Sequence, residues 1–386
     1  MTKIFPTSNI NISKLIIFLI LCPIFISLDI SDGLKFDAYY FNVYNYPSIP
    51  ISILVLGIIS VLNFKIFFKN KSFLILSFFI ILYIFLNILF GHTRAIIVGI
   101  GMLLFFVSYI IFSCKKYKVE YKTLFYILFF VLVLKFFIDI YLFYTTSYAG
   151  KLTHNINPFS TIFFLNQKFV IYSFYDYFAF IYYISSVFSI YNIIKKQYIK
   201  SSLILLFISF MVVNNTQSRI FIYGIYLIPI LIFSYYLFKS FGLRLYIYIC
   251  ILVVFIVTIS LGVYDFNMFD ESLQTRNKHA LGYFTDFSFI NILLPFINEY
   301  RINTPSSSFH NEFLEIWSFF GLVLFYYLFL LRNVFLNVDR KFNLIAYLII
   351  FILLMGMTIQ LNLTNPYVGI ISGMIFGILT KNKVTI

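Results

Sequence analysis

Twelve long apolar runs dominate this chain, and they leave it few ways to fold. They occupy approximately 15–30, 48–64, 72–90, 95–113, 123–143, 169–194, 201–216, 220–238, 245–264, 313–331, 342–360 and 367–380. Each is continuous rather than alternating, which excludes the dyad pattern of a membrane β-barrel. A bilayer core of roughly 30 Å takes roughly 20 helical residues to cross. Of the 386 residues 62% are apolar, enough for about twelve such crossings, and the mean hydropathy is +0.96. A soluble fold of this composition would have too little polar surface to cover its core. The expected fold is therefore all-α, a single polytopic membrane domain spanning 1–386 with about twelve transmembrane helices.

Basic residues orient those spans. With both termini cytoplasmic, the inner segments carry Lys3 and Lys14, then Lys65, Lys69 and Lys71, then Lys115, Lys116, Lys118 and Lys122. Lys195, Lys196 and Lys200 follow, then Lys239 and Arg244, then Arg332, Arg340 and Lys341, and finally Lys381 and Lys383. The acids on that side are Glu120 and Asp339. Every inner segment obeys the positive-inside bias, so an even span number and an inside N-terminus agree. The net charge of +14 is then mostly a topology signal, and no nucleic-acid partner is expected. "LIIFLILCPIFISL" lacks the small-residue cleavage site of a signal peptide. Cys22, Cys114 and Cys250 fall in or beside spans and offer neither a disulfide framework nor a metal site.

On this topology the longest connection, 265–312, is external and lies between spans nine and ten. All four histidines, His92, His154, His279 and His310, are external, as are Arg94, Arg219, Arg276 and Arg301. The inner loops use mainly lysine. Arginine gives fixed, bidentate hydrogen bonds to phosphate or carboxylate where lysine gives a mobile point charge, so the asymmetry points to anion recognition on the outer side. Arg219 opens a helix after the polar stretch Asn214–Ser218, where free N–H groups already favour anions; an arginine snorkelling to headgroups reads the same way. Arg276 lies in "SLQTRNKHALGYF" of the long loop, where a solvated loop charge is the alternative.

His310 follows Pro305 and three serines at the start of span ten. The positive end of a helix dipole favours neutral imidazole, the form that accepts a proton. A capping or interfacial histidine is the alternative. Within the spans, Lys135 and Asp139 stand one helical turn apart and are expected to pair, while Asp176 is isolated in "YSFYDYFAF" and expected to face a bundle interior or cavity. The chain has no G-x-x-x-x-G-K-[ST] loop and no H-E-x-x-H, so neither ATP hydrolysis nor a zinc site is expected, and no cofactor is called for.

Three stretches together resemble one family. "NNTQSRIFIYG" after a short span, the arginine in "LQTRNKHALGYF" and "HNEFLEIWSFFGLV", with Gly321 ten residues after Asn311, resemble the bacterial O-antigen polymerase and O-antigen ligase superfamily. The resemblance covers roughly residues 201–331; Thr275 stands where that family has a glycine. It implies a glycosyltransferase of the bacterial inner membrane, acting at the periplasmic face on undecaprenyl-pyrophosphate-linked oligosaccharides in lipopolysaccharide biosynthesis. By similarity Arg219 and Arg276 would bind the pyrophosphate and His310 would act as base toward the attacking sugar hydroxyl. Asn311, Arg301 and Asp176 are the further candidates for substrate contact. Membrane lipid, a chain-length regulator and a flippase are the partners such an enzyme implies. A polymerase of repeat units is favoured over a ligase that moves finished polymer onto lipid A core. A lipid-linked oligosaccharide flippase would fit twelve spans as well, but the chain shows neither an internal repeat nor a long central cytoplasmic connection.

Overall fold

The computed structural model describes residues 8–21, 26–29, 33–36, 48–49, 51–117, 119–145, 175–215, 219–237, 242–263, 271–304, 311–358 and 365–381. In chain order the elements are α1 (Ser8–Leu21), β1 (Ile26–Asp29), β2 (Gly33–Phe36), β3 (Ser48–Ile49), α2 (Ile51–Leu62), α3 (Phe64–Phe68), α4 (Lys71–Leu89) and α5 (Arg94–Ser113). Then come α6 (Tyr121–Thr145), α7 (Tyr175–Ile194), α8 (Ile199–Asn215), α9 (Arg219–Leu237), α10 (Gly242–Val263), α11 (Glu271–Thr285) and α12 (Glu299–Asn303). The chain continues through α13 (Glu312–Phe320), α14 (Val323–Leu336), α15 (Asn343–Gly356) and α16 (Pro366–Leu379).

Each of the twelve apolar runs carries helix. Four helices among the described residues are long and apolar enough to cross a membrane: Lys71–Leu89, Arg94–Ser113, Ile220–Leu237 and Gly242–Leu261. Shorter apolar helices include Ser52–Leu62, Ala179–Ile194, Ile199–Asn214, Val323–Leu336 and Pro366–Leu379. The protein is thus predominantly helical and built for a membrane.

Three features depart from the sequence pattern. The first run, expected as helix through residue 30, ends its helix at Leu21; Ile26–Asp29 instead forms the middle strand of a small antiparallel sheet ordered β2-β1-β3. The tenth run, expected as one span over 313–331, is broken into α13 and α14 at Gly321. That residue has φ +50, and a Cβ there would lie 2.5 Å from the Ile292 carbonyl oxygen. The long connection 265–312, expected as an external loop, holds the fifteen-residue helix α11.

The chain forms two compact units, Met1–Leu62 with Cys114–Tyr236, and Asn63–Ser113 with Leu237–Ile386. In the first, α7 packs along α8, and both helices bury small residues, Ser185, Ser186 and Ser189 on α7 and Ser202 and Ser209 on α8. Small residues let membrane helices approach closely where no hydrophobic effect drives them together. Asn214 ends this packing: its Nδ2 donates to the Phe210 carbonyl at 2.8 Å and its Oδ1 accepts from Tyr226 Oη at 2.9 Å. In the second unit α16 lies against α5 by the same means. Gly373 and Gly377 face the Phe105 and Tyr109 carbonyls, leaving no room for a Cβ, and Ser108 Oγ donates to the Ile370 carbonyl at 2.8 Å.

Candidate functional site

The site is built in the second unit at the start of α13. Asn311 caps that helix: its Oδ1 accepts from Leu314 N at 2.9 Å, satisfying one of the orphan donors of the first turn. Its Nδ2 lies 3.3 Å from both Thr258 Oγ1 on α10 and the Thr358 carbonyl. The Glu312 amide donates to the Met357 carbonyl at 2.8 Å. The beginning of α13 is thereby fixed to α10 and to the end of α15. Two carboxylates, Glu312 and Glu315, occupy its first turn, where the helix dipole favours negative charge, and both are fully buried.

Glu315 gathers two arginines from distant parts of the sequence. Arg94, the first residue of α5, donates from Nε to Glu315 Oε1. Arg301, on α12, places Nη2 3.7 Å from the same oxygen. Arg301 is fully buried, and its guanidinium stacks over the Phe319 ring at 3.8 Å from the centroid. Asn298 sets its position by capping α12: Oδ1 accepts from Arg301 N at 3.2 Å, while Nδ2 holds the Tyr283 and Asp286 carbonyls at the end of α11. Burial, opposed by Glu315 and reinforced by the Arg94 charge, lowers the Arg301 guanidinium to about 10, so it remains a cation near neutrality.

Two neutral imidazoles border this cluster. His279 on α11 has Nδ1 2.6 Å from Tyr300 Oη. The Tyr300 ring sits against Gly282, where a Cβ would collide with it. Burial lowers the His279 pKa below its usual value, Glu315 opposes and Arg301 adds to the shift. His92, in the turn between α4 and α5, is fully buried with Nε2 3.1 Å from the Phe296 carbonyl. A carbonyl only accepts, so Nε2 carries the proton; Nδ1 has no hydrogen-bond partner among the described residues. Burial lowers this histidine as well, against the pull of the Phe296 carbonyl and with help from Arg301.

The cluster brings together Asn311 and Arg301 from the residues singled out in the sequence. Asn311 acts as a helix cap and Arg301 as a buried, paired cation. Arg276 lies on α11, Arg219 opens α9 and Asp176 lies in the first turn of α7; the side chains of all three are outside the described residues. His310 and the Asp139 side chain are outside them too. Sequence reasoning missed Arg94, Glu315, His279 and Tyr300 as members of one site. Glu315 carried a usable signal: a carboxylate one turn inside an apolar span needs a partner, and the external arginines were the available ones. Among the described residues no group of three or more His, Cys, Asp or Glu is placed to hold a metal ion.

Chemically, the arrangement offers fixed guanidinium charge beside neutral imidazole, a combination suited to an anionic group and a proton-transfer step. No protein-family model, curated protein or solved structure matches this chain.

Proposed function

We propose that the protein is an O-antigen polymerase, a membrane glycosyltransferase that joins undecaprenyl-pyrophosphate-linked repeat units at the periplasmic face of the bacterial inner membrane. The observation that carries this reading is the convergence of Arg94, Arg301, Glu315 and the His279–Tyr300 pair at the start of α13. These come from three distant segments that the charge pattern puts on one side of the membrane. In the sequence, the His310-Asn311 pair that resembles the polymerase motif directly precedes α13. In the proposed reaction a hydroxyl of the acceptor repeat unit attacks the anomeric carbon of the donor sugar. The bond from that carbon to the lipid pyrophosphate breaks, the new glycosidic bond forms, and the hydroxyl proton passes to His310. The departing pyrophosphate needs positive charge, which the resemblance assigns to Arg219 and Arg276. A ligase would use the same groups with a lipid A core acceptor.

Deleting the gene and examining lipopolysaccharide on a gel tests the reading. Loss of a polymerase leaves core bearing one repeat unit, because ligation continues. Bare core overturns the assignment in favour of a ligase or a flippase. Complementation with His310→Ala should leave the one-repeat band with the ladder lost or shortened, since removing a general base costs about 10²–10⁴-fold in rate. A normal ladder from His310→Ala at normal protein level would remove His310 from the chemistry.

A further inference from the structure

The connection between α11 and α13 contains an apolar stretch that a loop in water does not explain. From Phe287 to Asn298 no residue is charged, and the chain makes two short 3-10 turns, Phe289–Ile292 and Pro295–Ile297. Phe289 is 85% exposed, and Ile290, Leu293 and Leu294 are exposed with it. Four large apolar side chains within six residues form a patch that water disfavours. The polar side chains of the stretch are spent on one another. Asn291 is buried, and its Oδ1 accepts from the Ser288 amide at 2.7 Å and from the Ser288 hydroxyl at 2.8 Å.

Neighbouring helices give the depth of this stretch. α4 has nineteen residues, about 28 Å at the helical rise and so close to the roughly 30 Å of a bilayer core. Tyr83 lies six residues, roughly 9 Å, before its Leu89 end. The Tyr83 hydroxyl donates to the Leu293 carbonyl at 2.7 Å. The Phe296 ring is close to both Tyr83 and Phe90, with centroids 6.3 and 5.1 Å away. α13 is a second gauge. It descends beside α4, with Glu315 bound to Arg94 and the Phe319 carbonyl accepting from Asn87 Nδ2 at 2.8 Å. At its foot, nine residues or about 14 Å from Glu312, stands Gly321, whose added Cβ would lie 2.5 Å from the Ile292 carbonyl oxygen. Ile292 and Leu293 therefore lie inside the layer that α4 spans. Hydrocarbon offers a non-helical carbonyl no partner. Tyr83 supplies one to Leu293, and His92 Nε2 supplies one to Phe296 at 3.1 Å.

We propose that Phe289–Ile297 is a re-entrant membrane segment whose exposed face, Phe289, Ile290, Leu293 and Leu294, is seated against lipid acyl chains. On α4, Leu82 and Phe85 to either side of Tyr83 are exposed as well, so this face continues the apolar surface of a crossing helix. Asp286 and Glu299 bracket the segment, which enters and leaves the bilayer on the side that carries Arg94. The segment needs only the fold and holds whatever reaction the protein catalyses.

The chain has one tryptophan, Trp317, so Trp317→Phe gives a background for single fluorescent reporters. In that background Phe289→Trp and Leu293→Trp report on the segment. Phe85→Trp marks the lipid-facing side of α4 near the same level, and Thr285→Trp marks the exposed end of α11. Each full-length variant is reconstituted into phosphatidylcholine vesicles with or without bromine at mid-chain on the acyl groups, and separately titrated with acrylamide from the water. Leu293→Trp and Phe289→Trp should lose as much fluorescence to the brominated chains as Phe85→Trp does, and acrylamide should quench neither. Thr285→Trp should show the reverse. Quenching of both segment reporters by acrylamide and not by bromine puts the segment in water and overturns the proposal. Bromine quenching far weaker than that of Phe85→Trp leaves the segment at the headgroups and overturns its re-entrant depth. Protection from both quenchers means that a second copy of the chain covers the face, which overturns lipid as the occupant. No sugar donor or acceptor is present, so failure of the polymerase reading leaves every one of these outcomes unchanged.

Discussion

Glu315 shows how far a single side chain can organise a membrane protein. Its carboxylate sits inside an apolar helix and is stabilised by two arginines, one 221 residues before it in sequence and one 14 before it. Burial around those pairs also lowers the pKa of the neighbouring histidines, and this has a consequence for pH. The folded-state pKa of His92 lies below its ordinary value of 6.5, with burial the main cause. Above pH 6.5 the folded and unfolded states are both neutral at this residue and protons do not shift the balance. As pH falls below 6.5 the unfolded chain binds a proton first, and stability is lost until the folded pKa is passed. His279 is displaced in the same direction and adds to the loss. The thermal midpoint in detergent should therefore fall between pH 7 and about pH 5. His92→Gln, whose amide nitrogen can still donate to the Phe296 carbonyl, should show a shallower fall with the His279 share remaining. Identical pH slopes for the two proteins would mean that His92 protonation is not resisted by the fold.

Among the elements, α13 and α14 carry the most specific backbone demand. Gly321 adopts φ +50 and ψ −125, a region open essentially to glycine, and it passes close to the Ile292 carbonyl of the short 3-10 turn Phe289–Ile292. Gly321→Ala should destabilise the protein by about 1–3 kcal/mol from backbone strain alone, more if the Ile292 carbonyl has to move. Gly57→Ala on α2, where a Cβ meets nothing within 4 Å, should be neutral or slightly stabilising by helix propensity. Comparable thermal midpoints for the two variants would show that the break at Gly321 is not strained. This junction also marks where the sequence stops being readable. The length and continuity of the apolar runs place helix in all twelve because each is a strong local signal, and edges such as Lys71–Leu89 and Arg94–Ser113 fall within a residue or two of expectation. A glycine in an apolar run has no such signal, since the same residue also serves ordinary close helix packing, as Gly373 does against α5. The helix α11 was hidden for the opposite reason: its polar sequence "ESLQTRNKHALGYFT" reads as loop, and its helical face is set by Ala280 and Tyr283 packing against Leu261 and Leu314. The ion cluster was legible only as a list of unsatisfied charges, because pairing across 221 residues leaves no spacing to read.

At the scale of the second unit, the ion cluster and the basic connections lie apart. In the second unit the Thr380 hydroxyl reaches Tyr109 Oη at 3.5 Å, Asp339 N donates to the Leu379 carbonyl at 2.9 Å and Lys381 N to the Asn337 carbonyl at 3.2 Å. These contacts collect the C-terminal ends of α5, α14 and α16, with Arg340, Lys341 and Lys381 among them. Along α5, Arg94 lies fifteen residues from Tyr109, about 22 Å at the helical rise. The arginine–glutamate–histidine cluster thus stands at the opposite end of this unit from the lysine-rich connections. That separation is what the positive-inside bias demands if the cluster faces outward, and it makes the topology testable without any assay of activity. Reporter fusions after Lys118, Lys200 and Lys383 should report cytoplasm. Fusions after Lys278, within α11, and after Ser307 should report the far side. Because Arg94, Arg301 and Glu315 are bound to one another, they change sides together with the segment around Lys278. A cytoplasmic signal there would therefore place the whole cluster inside, where a periplasmic glycosyl transfer has no use for it, and the proposed function would fall with that one measurement.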